Sequence, residues 1–402
     1  MRLTGGASCL ALALLLAGCG GGSGSGGSPA PTPTPTIAPT PTPTAASDQE
    51  IVQRTLAIDL DNPGNYAAPV LPAHYDATVA ALDNTPAGEP IDDRIALLGR
   101  VLFYDRALSV DRTVSCGTCH QQAFGFGDDK RFSVGQGGVA FTSAHSMRLG
   151  NVRYSQPGTM FWNRRAATIE AQASVPILNP LEMGWQGNGG FPALIARLAA
   201  LDYYPVLFRR AFGDAAIGEA RIQRALAAFQ RAMISSDSRW DRSYAQVFSA
   251  GAPNRNLDAA LPGFGASEQR GRELFMTARD AGGAGCAACH VPPTFAHAAD
   301  SRSNGLDAGQ TALFKPPSLK NTARSQFWMH DGRFASLIQV VNFYDSGVRD
   351  GPALDDRLRQ PGGAPQRLNL SEDDKQALVD FLETLNDEAL VSAPHLADPF
   401  RR

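Results

Sequence analysis

The sequence predicts a mainly α-helical protein, with two small helical domains in tandem behind a disordered N-terminal tether. Three observations carry this reading. Apolar residues recur at helical spacing in several segments, and convincing strand alternation is scarce. A block beginning at Gly99 returns at Gly271, and each copy runs into the same Cys-x-x-Cys-His spelling. Residues 20–48 are dominated by Gly, Ser, Pro and Thr, which cannot bury enough apolar surface to fold.

A chain of 402 residues has room for two ordinary domains. With 43% hydrophobic and 19% charged residues, most of it can build packed cores. The net charge is −3 and the pI about 6.2. There is no basic field to hold nucleic acid.

The first element, residues 1–19, reads as an export signal. Arg2 supplies a thin positive start, and the apolar run Leu10–Leu16 is too short to span a bilayer. It ends in Leu16-Ala17-Gly18-Cys19, which resembles the lipobox of bacterial lipoproteins. That resemblance makes Cys19 the lipidated first residue of the mature chain. The alternative is an ordinary signal with an incidental cysteine. Gly20 follows where an Asp is absent, which by the same resemblance directs the lipoprotein to the outer membrane. Residues 20–48 then form a linker, flexible where Gly and Ser dominate and extended through the Pro-Thr repeats.

The six cysteines divide cleanly. Cys9 leaves with the signal and Cys19 is the lipid site. The remaining four are Cys116 and Cys119 before His120, and Cys286 and Cys289 before His290. In an exported protein this spelling reads as covalent haem attachment. The two thiols add to the haem vinyl groups, and the histidine ligates the iron from below. A Cys₄ zinc site leaves both histidines unexplained and joins pairs far apart in the chain. A redox dithiol has no need of a histidine twice.

The helical elements follow in order. Leu97, Leu98, Val101 and Leu102 make an amphipathic stretch ahead of the first motif, and Leu274 and Phe275 a second ahead of its copy. Leu194, Ile195, Leu198 and Leu201 sit at helical spacing. Pro205 ends that helix or opens a short one to Phe212, with Gly213 as its stop. Ile222 to Met233 is helical in pattern. Ser371 with Asp374 resembles a capping box before Leu378, Phe381, Leu382 and Leu385. The Gly-, Pro- and Asn-rich stretch Ala250 to Gly265 marks a boundary. The domains are therefore expected at 49–250 and 251–402, each a helical haem domain.

Beyond the haem motifs, three segments carry a resemblance. They are LFYDRALSVDRTVSCGTCH, ending at His120; FWNRRAATIEAQASVPILNPLEM, Phe161 to Met183; and FKPPSLKNTARSQFWMHDGRFASLIQVVNFY, Phe314 to Tyr344. Over roughly Asp92 to Leu385 the chain resembles the bacterial di-haem cytochrome c peroxidase family, which includes MauG-type enzymes. The resemblance implies two cytochrome c-like domains. The haem on His120 is the peroxidatic one with an open iron, and that on His290 stores and passes electrons. Glu182 and Gln172 match the distal pair, Glu182 to move a proton between the peroxide oxygens and Gln172 to bind peroxide or orient Glu182. Pro176 matches a proline lining that pocket. Trp162 matches the tryptophan between the haems, where an indole relays an electron. A plain structural reading stands beside each: a helix-terminal carboxylate, a helix-face amide, a turn proline, a core tryptophan.

Two positions depart from the reductively activated members. Those carry a capping histidine in the loop that resembles SVGQGG, where this chain has Gln136, a poor iron ligand. The first iron is then open when fully oxidised. His145 stands nearby as a substitute cap or as a buried, hydrogen-bonded histidine. It falls where the family often has an asparagine that helps hold an interdomain calcium, which puts that ion in question. Tyr344 occupies the place of an axial methionine, as in MauG-type enzymes, and is expected to ligate the second iron. If it is only a core aromatic, Met329 or another residue takes that role. His330 matches a histidine that is structural or propionate-binding. His74, His297 and His395 need no role.

The function implied is reduction of hydrogen peroxide to water, with electrons from a small cytochrome or copper protein. Two alternatives are a MauG-like oxidation of a partner protein and a non-catalytic di-haem electron carrier. The lipid anchor places the body in the periplasm or at the cell surface, and dimers occur in the family.

Overall fold

The computed structural model describes residues 20–24, 27, 46–297 and 299–401. The expected export signal, Cys19 and most of the expected tether lie outside the described residues. From residue 46 onward the architecture is mostly helical, as the apolar spacing requires. The two-residue ribbon β1 (His290–Val291) and β2 (Ala296–His297) is antiparallel.

Ser47 opens α1 (Asp48–Gln53) with a reciprocal cap: its hydroxyl accepts from the Glu50 N–H while Glu50 accepts from the Ser47 N–H. After the single turn α2 (Ala77–Ala80) comes α3 (Asp93–Tyr104), started by Asp92, whose carboxylate accepts from the N–H groups of Arg94 and Ile95. Then follow α4 (Cys116–Cys119), α5 (Ile169–Leu178), α6 (Gly190–Ala199) and α7 (Tyr203–Phe212). Pro205 sits in the first turn of α7, where its missing N–H costs nothing, and Gly213 ends the helix at φ 87°. Next are α8 (Glu219–Arg231), α9 (Arg239–Val247), α10 (Ala266–Met276) and α11 (Leu337–Asn342). The last two are α12 (Glu372–Glu383) and α13 (Glu388–Ser392). At α12, Ser371 does accept from the Asp374 N–H at 3.1 Å. Asp374 does not complete the box, because its carboxylate pairs with Arg270 of α10 at 2.7 Å.

The sequence repeat corresponds to a repeated helix crossing. α3 crosses α8 at Gly99, where a β-carbon would lie 1.9 Å from the Ala225 carbonyl oxygen and 2.9 Å from Cβ of Phe229. α10 crosses α12 at Gly271, where one would lie 1.8 Å from the Ala377 carbonyl oxygen and 2.8 Å from Cβ of Phe381. Each glycine lets two backbones touch, and each crossing anchors a core. Leu98, Val101, Leu102, Phe103, Leu226 and Phe229 belong to the first core. Leu274, Phe275, Leu378, Phe381, Leu382 and Leu385 belong to the second.

Packing crosses residue 250 in both directions. Trp240 and Tyr244 of α9 join the second core, and Leu390, Ala393 and Leu396 return to the first. A buried ionic cluster adds another tie. Asp241 accepts from Lys320 Nζ at 2.5 Å and faces His74 Nε2 at 3.1 Å, all three side chains being shut off from solvent. His74 thus has a structural task that no motif announced.

Candidate functional site

Cys116 and Cys119 are one helical turn apart in α4, so both thiols lie on one face. A β-carbon at Gly117 between them would lie 2.5 Å from the Tyr104 ring, so only glycine allows this packing. Cys116, Cys119, Cys286 and Cys289 are all free thiols. Burial pushes Cys116 and Cys119 up to about 12, with Cys119 adding to the shift at Cys116. A redox dithiol needs the opposite shift. Among the described residues no three His, Cys, Asp or Glu side chains gather into a metal cluster, so the thiol pairs do not combine into a zinc site.

Both histidines are prepared as ligands. His120 Nδ1 lies 2.9 Å from the carbonyl oxygen of Phe126, and His290 Nδ1 lies 3.2 Å from that of Pro317. A carbonyl only accepts, so each Nδ1 carries the proton and each Nε2 keeps its lone pair. Burial lowers His120, and lowers His290 to about 4, so both rings are neutral. Free thiols beside a neutral imidazole with a bare nitrogen are the donor set that covalent haem requires.

Around the second motif lies a cavity of about 190 Å³. Cys286, Cys289 and His290 open into it, and Phe275, Leu337, Val341, Leu378 and Leu382 supply apolar wall. An apolar slot with two thiols and an imidazole at its edge fits a haem. Tyr344 lines the same cavity. It lies in a π-helical turn, Phe343–Gly347, that continues α11, and such turns often mark functional positions. Burial pushes its phenol up to about 12, partly offset by Asn304. Asn304 Nδ2 stands 3.4 Å from the Tyr344 hydroxyl and 3.5 Å from the Met329 sulfur. One amide therefore steadies both residues that sequence reasoning named for the axial position.

Trp162 lines this cavity too, and its indole N–H donates to the His145 carbonyl at 2.7 Å. Its own carbonyl accepts from the Lys315 N–H at 2.7 Å. His330 stacks on Phe314 with ring centroids 4.2 Å apart and meets Trp162 edge-on at 6.5 Å. His145 Nδ1 faces the carbonyls of Lys130 and Arg131 at 3.0 and 3.2 Å. Burial, then the charge of Arg148, lowers His145 to about 4. The backbone of Met147, two residues on, is a hydrogen-bond partner of His120. His145 also lines the cavity around the second motif.

Glu182 is half-buried, and desolvation raises its pKa against the pull of Asn179 and Arg165. Its negative charge adds to the raised thiols of Cys116 and Cys119, which puts it beside the first motif. Asn179 Nδ2 donates to Glu182 Oε1 at 2.7 Å. Among the described residues the amide that orients Glu182 is thus Asn179, and not Gln172. Gln172 and Pro176 lie four residues apart on one side of α5, both half-buried, while Ile169, Ala173 and Ile177 face the core. Gln136 turns away: its backbone N–H donates to the Glu182 carbonyl at 2.8 Å and its side chain to the Pro180 carbonyl at 3.2 Å.

Sequence reasoning missed four residues here: Asn179, Arg165, Asn304 and Arg148. Arg148 is a buried cation held by Ser325 at 2.7 Å and Thr322 at 3.2 Å, and its charge depresses both His145 and His290. Asn179 stands three residues before Glu182, a spacing that a search for turn contacts would have caught. The others reach their partners through space, without a local signal.

A family model described as di-haem cytochrome c peroxidase matches residues 93–247. The chain is 34% identical over 330 residues to the methylamine utilization protein MauG of Methylorubrum extorquens, covering 77% of this chain and 84% of that one. It is 28% identical to the cytochrome-c peroxidase IdrP1 of Denitromonas iodatirespirans, covering 75% and 84%. It is 25% identical to the cytochrome c551 peroxidase of Nitrosomonas europaea, covering 72% and 84%. Among solved structures it resembles a MauG-like protein associated with microbial copper homeostasis. That match has a TM-score of 0.64 and 28% identity, and covers 84% of this chain and 99% of the other.

Proposed function

Because the chain belongs to the di-haem cytochrome c peroxidase family, an oxidoreductase family whose substrate is peroxide, we propose that it reduces hydrogen peroxide at the His120 site. Two c-type haems, held by Cys116, Cys119 and His120 and by Cys286, Cys289 and His290, supply the redox chemistry, one with an open iron and one as an electron store. The single observation that carries the assignment is Glu182: a half-buried carboxylate with a raised pKa, beside the first thiol pair, oriented by Asn179. Such a group takes a proton from one peroxide oxygen and returns it to the other. Gln172 and Pro176 line the approach. Trp162 carries electrons from the His290 side, and a small cytochrome or copper protein supplies them. Each motif belongs to its own cytochrome c-like domain, in tandem. A lipid on Cys19 and the Pro-Thr tether hold the body at the cell envelope, most consistent with the outer membrane.

A second reading has its own observation. Tyr344 lines the second cavity beside Cys286, Cys289 and His290, and Gln136 is turned onto Pro180. Ligation by Tyr344 lowers the second potential and favours high oxidation states, which suits a MauG-like oxidation of a partner protein. The experiment mixes the fully oxidised protein with stoichiometric hydrogen peroxide and follows absorption and EPR spectra. Immediate loss of the high-spin ferric signal supports an open first iron, and a long-lived product supports the MauG-like form. Reaction only after one-electron reduction would refute the open resting site. No reaction in either state would refute the peroxidase assignment.

A further inference from the structure

A buried carboxylate with two phenols stands beside the first haem-attachment turn. Asp105 follows α3, and its Oδ1 caps the next short turn by accepting from the Ala107 N–H at 2.7 Å. Its Oδ2 accepts from the hydroxyls of both Tyr203 and Tyr204, at 2.8 and 2.7 Å. Asp105 is 6% exposed, Tyr203 5% and Tyr204 0%. Among the described residues no basic side chain forms an ion pair with Asp105. The two rings lie 4.7 Å apart, inclined at 41°. Cys116 packs on the core that contains both tyrosines, and the ring of Tyr104, the residue before Asp105, lies against Gly117 between Cys116 and Cys119.

Capping a turn occupies only Oδ1. Two phenols on the remaining oxygen form a distinct device. A phenol yields an electron readily only when its proton leaves in the same event, and that needs a base within hydrogen-bond reach. Burial raises both phenols well above their ordinary value, so a phenolate is not an available shortcut. Three other buried tyrosines, Tyr66, Tyr75 and Tyr244, donate instead to the backbone carbonyls of His395, Ser235 and Arg255, and an amide oxygen does not take up a proton.

We propose that Tyr203 and Tyr204, with Asp105, form an internal redox site that gives one electron to the peroxide-oxidised first haem site when external donor is lacking. The phenolic O–H bond breaks, the electron goes to the haem site, the proton goes to Asp105 Oδ2, and a neutral phenoxyl radical remains. One electron from the external donor, with return of the proton, restores the phenol. The oxidant is the equivalent that hydrogen peroxide delivers, so this inference rests on the peroxidase reading above.

The test mixes the oxidised two-haem protein with hydrogen peroxide in the absence of donor, freezes it, and reads its radical EPR signal. A signal is expected that narrows when the protein contains ring-deuterated tyrosine. It is expected to be lost in the Tyr203→Phe/Tyr204→Phe double variant and in Asp105→Asn. Should the double variant fail to retain its haems, the single Phe variants serve, each leaving one phenol on Asp105 and expected to alter the line shape. A full-strength tyrosine signal in the double variant, or no change in either single variant, overturns the proposal. So does an absorption response to peroxide with no tyrosine signal, which leaves the peroxidase reading intact. No absorption response at all removes both.

Discussion

Asn179 holds Glu182 from within the same turn: its side-chain amide donates to Glu182 Oε1 at 2.7 Å while its backbone carbonyl accepts from the Glu182 N–H at 3.1 Å. Burial raises the Glu182 pKa and Asn179 opposes that rise. As the base, Glu182 works ionised, so activity is present above its pKa and lost as pH falls through it. Glu182→Gln is expected to lower peroxide turnover by ~10²–10⁴-fold with haem spectra unchanged. Asn179→Ala removes a bond that favours the carboxylate, worth ~1.5 kcal/mol, and should move the acid limb of the rate profile up by about one pH unit. An unmoved limb would remove Asn179 from the mechanism.

The Trp162 indole N–H donates to the His145 carbonyl. Trp162→Phe keeps an aromatic ring but loses that donor and the larger indole. The expected cost in stability is small, about 1 kcal/mol. Stopped-flow spectroscopy should show slower re-reduction of the peroxide-oxidised protein, while the initial reaction with peroxide keeps its rate. Equal slowing of both phases would point to general disruption of the site.

Tyr344 and Met329 share Asn304 as a neighbour. If Tyr344 ligates, Tyr344→Met exchanges a phenolate for a thioether and should raise the second haem potential, on the order of 0.1 V. Spectroelectrochemistry of both haems reads this directly. A lowered potential in Met329→Leu, with no change in Tyr344→Met, would transfer the ligand role to Met329.

Gly99 and Gly271 make equivalent crossings, so equivalent substitutions should cost alike. Ala at either position meets a backbone carbonyl within 2 Å, and a carbonyl is not relieved by a side-chain rotation. Each Gly→Ala variant should lose about 1–3 kcal/mol in denaturant titrations. A neutral result at both would mean the helices separate more easily than the packing implies.

The haem motifs, the repeat and the helical cores were legible because they are local. Cys116, Cys119 and His120 announce their chemistry by spacing, and the helices around Leu98 and Leu378 by period. The expectations for Glu182, Gln172, Trp162 and Tyr344 rest on resemblance alone, since an isolated carboxylate or aromatic carries no local signal. Gln172 was expected to bind peroxide or to orient Glu182, and Asn179, in the same turn as Glu182, is the amide that bonds its carboxylate. His145 is a buried histidine held by the Lys130 and Arg131 carbonyls, a pairing that no local motif announces.

By itself, then, the sequence determined the cofactor chemistry, the helical class and the duplicated plan, since these depend on residues a turn or two apart. Tertiary structure alone decided which carbonyl sets the tautomer of each ligand histidine, and that Asp105 meets Tyr203 and Tyr204. Those pairings span up to about a hundred positions or depend on a side chain's direction. They exist only once the helices have crossed and excluded water around them.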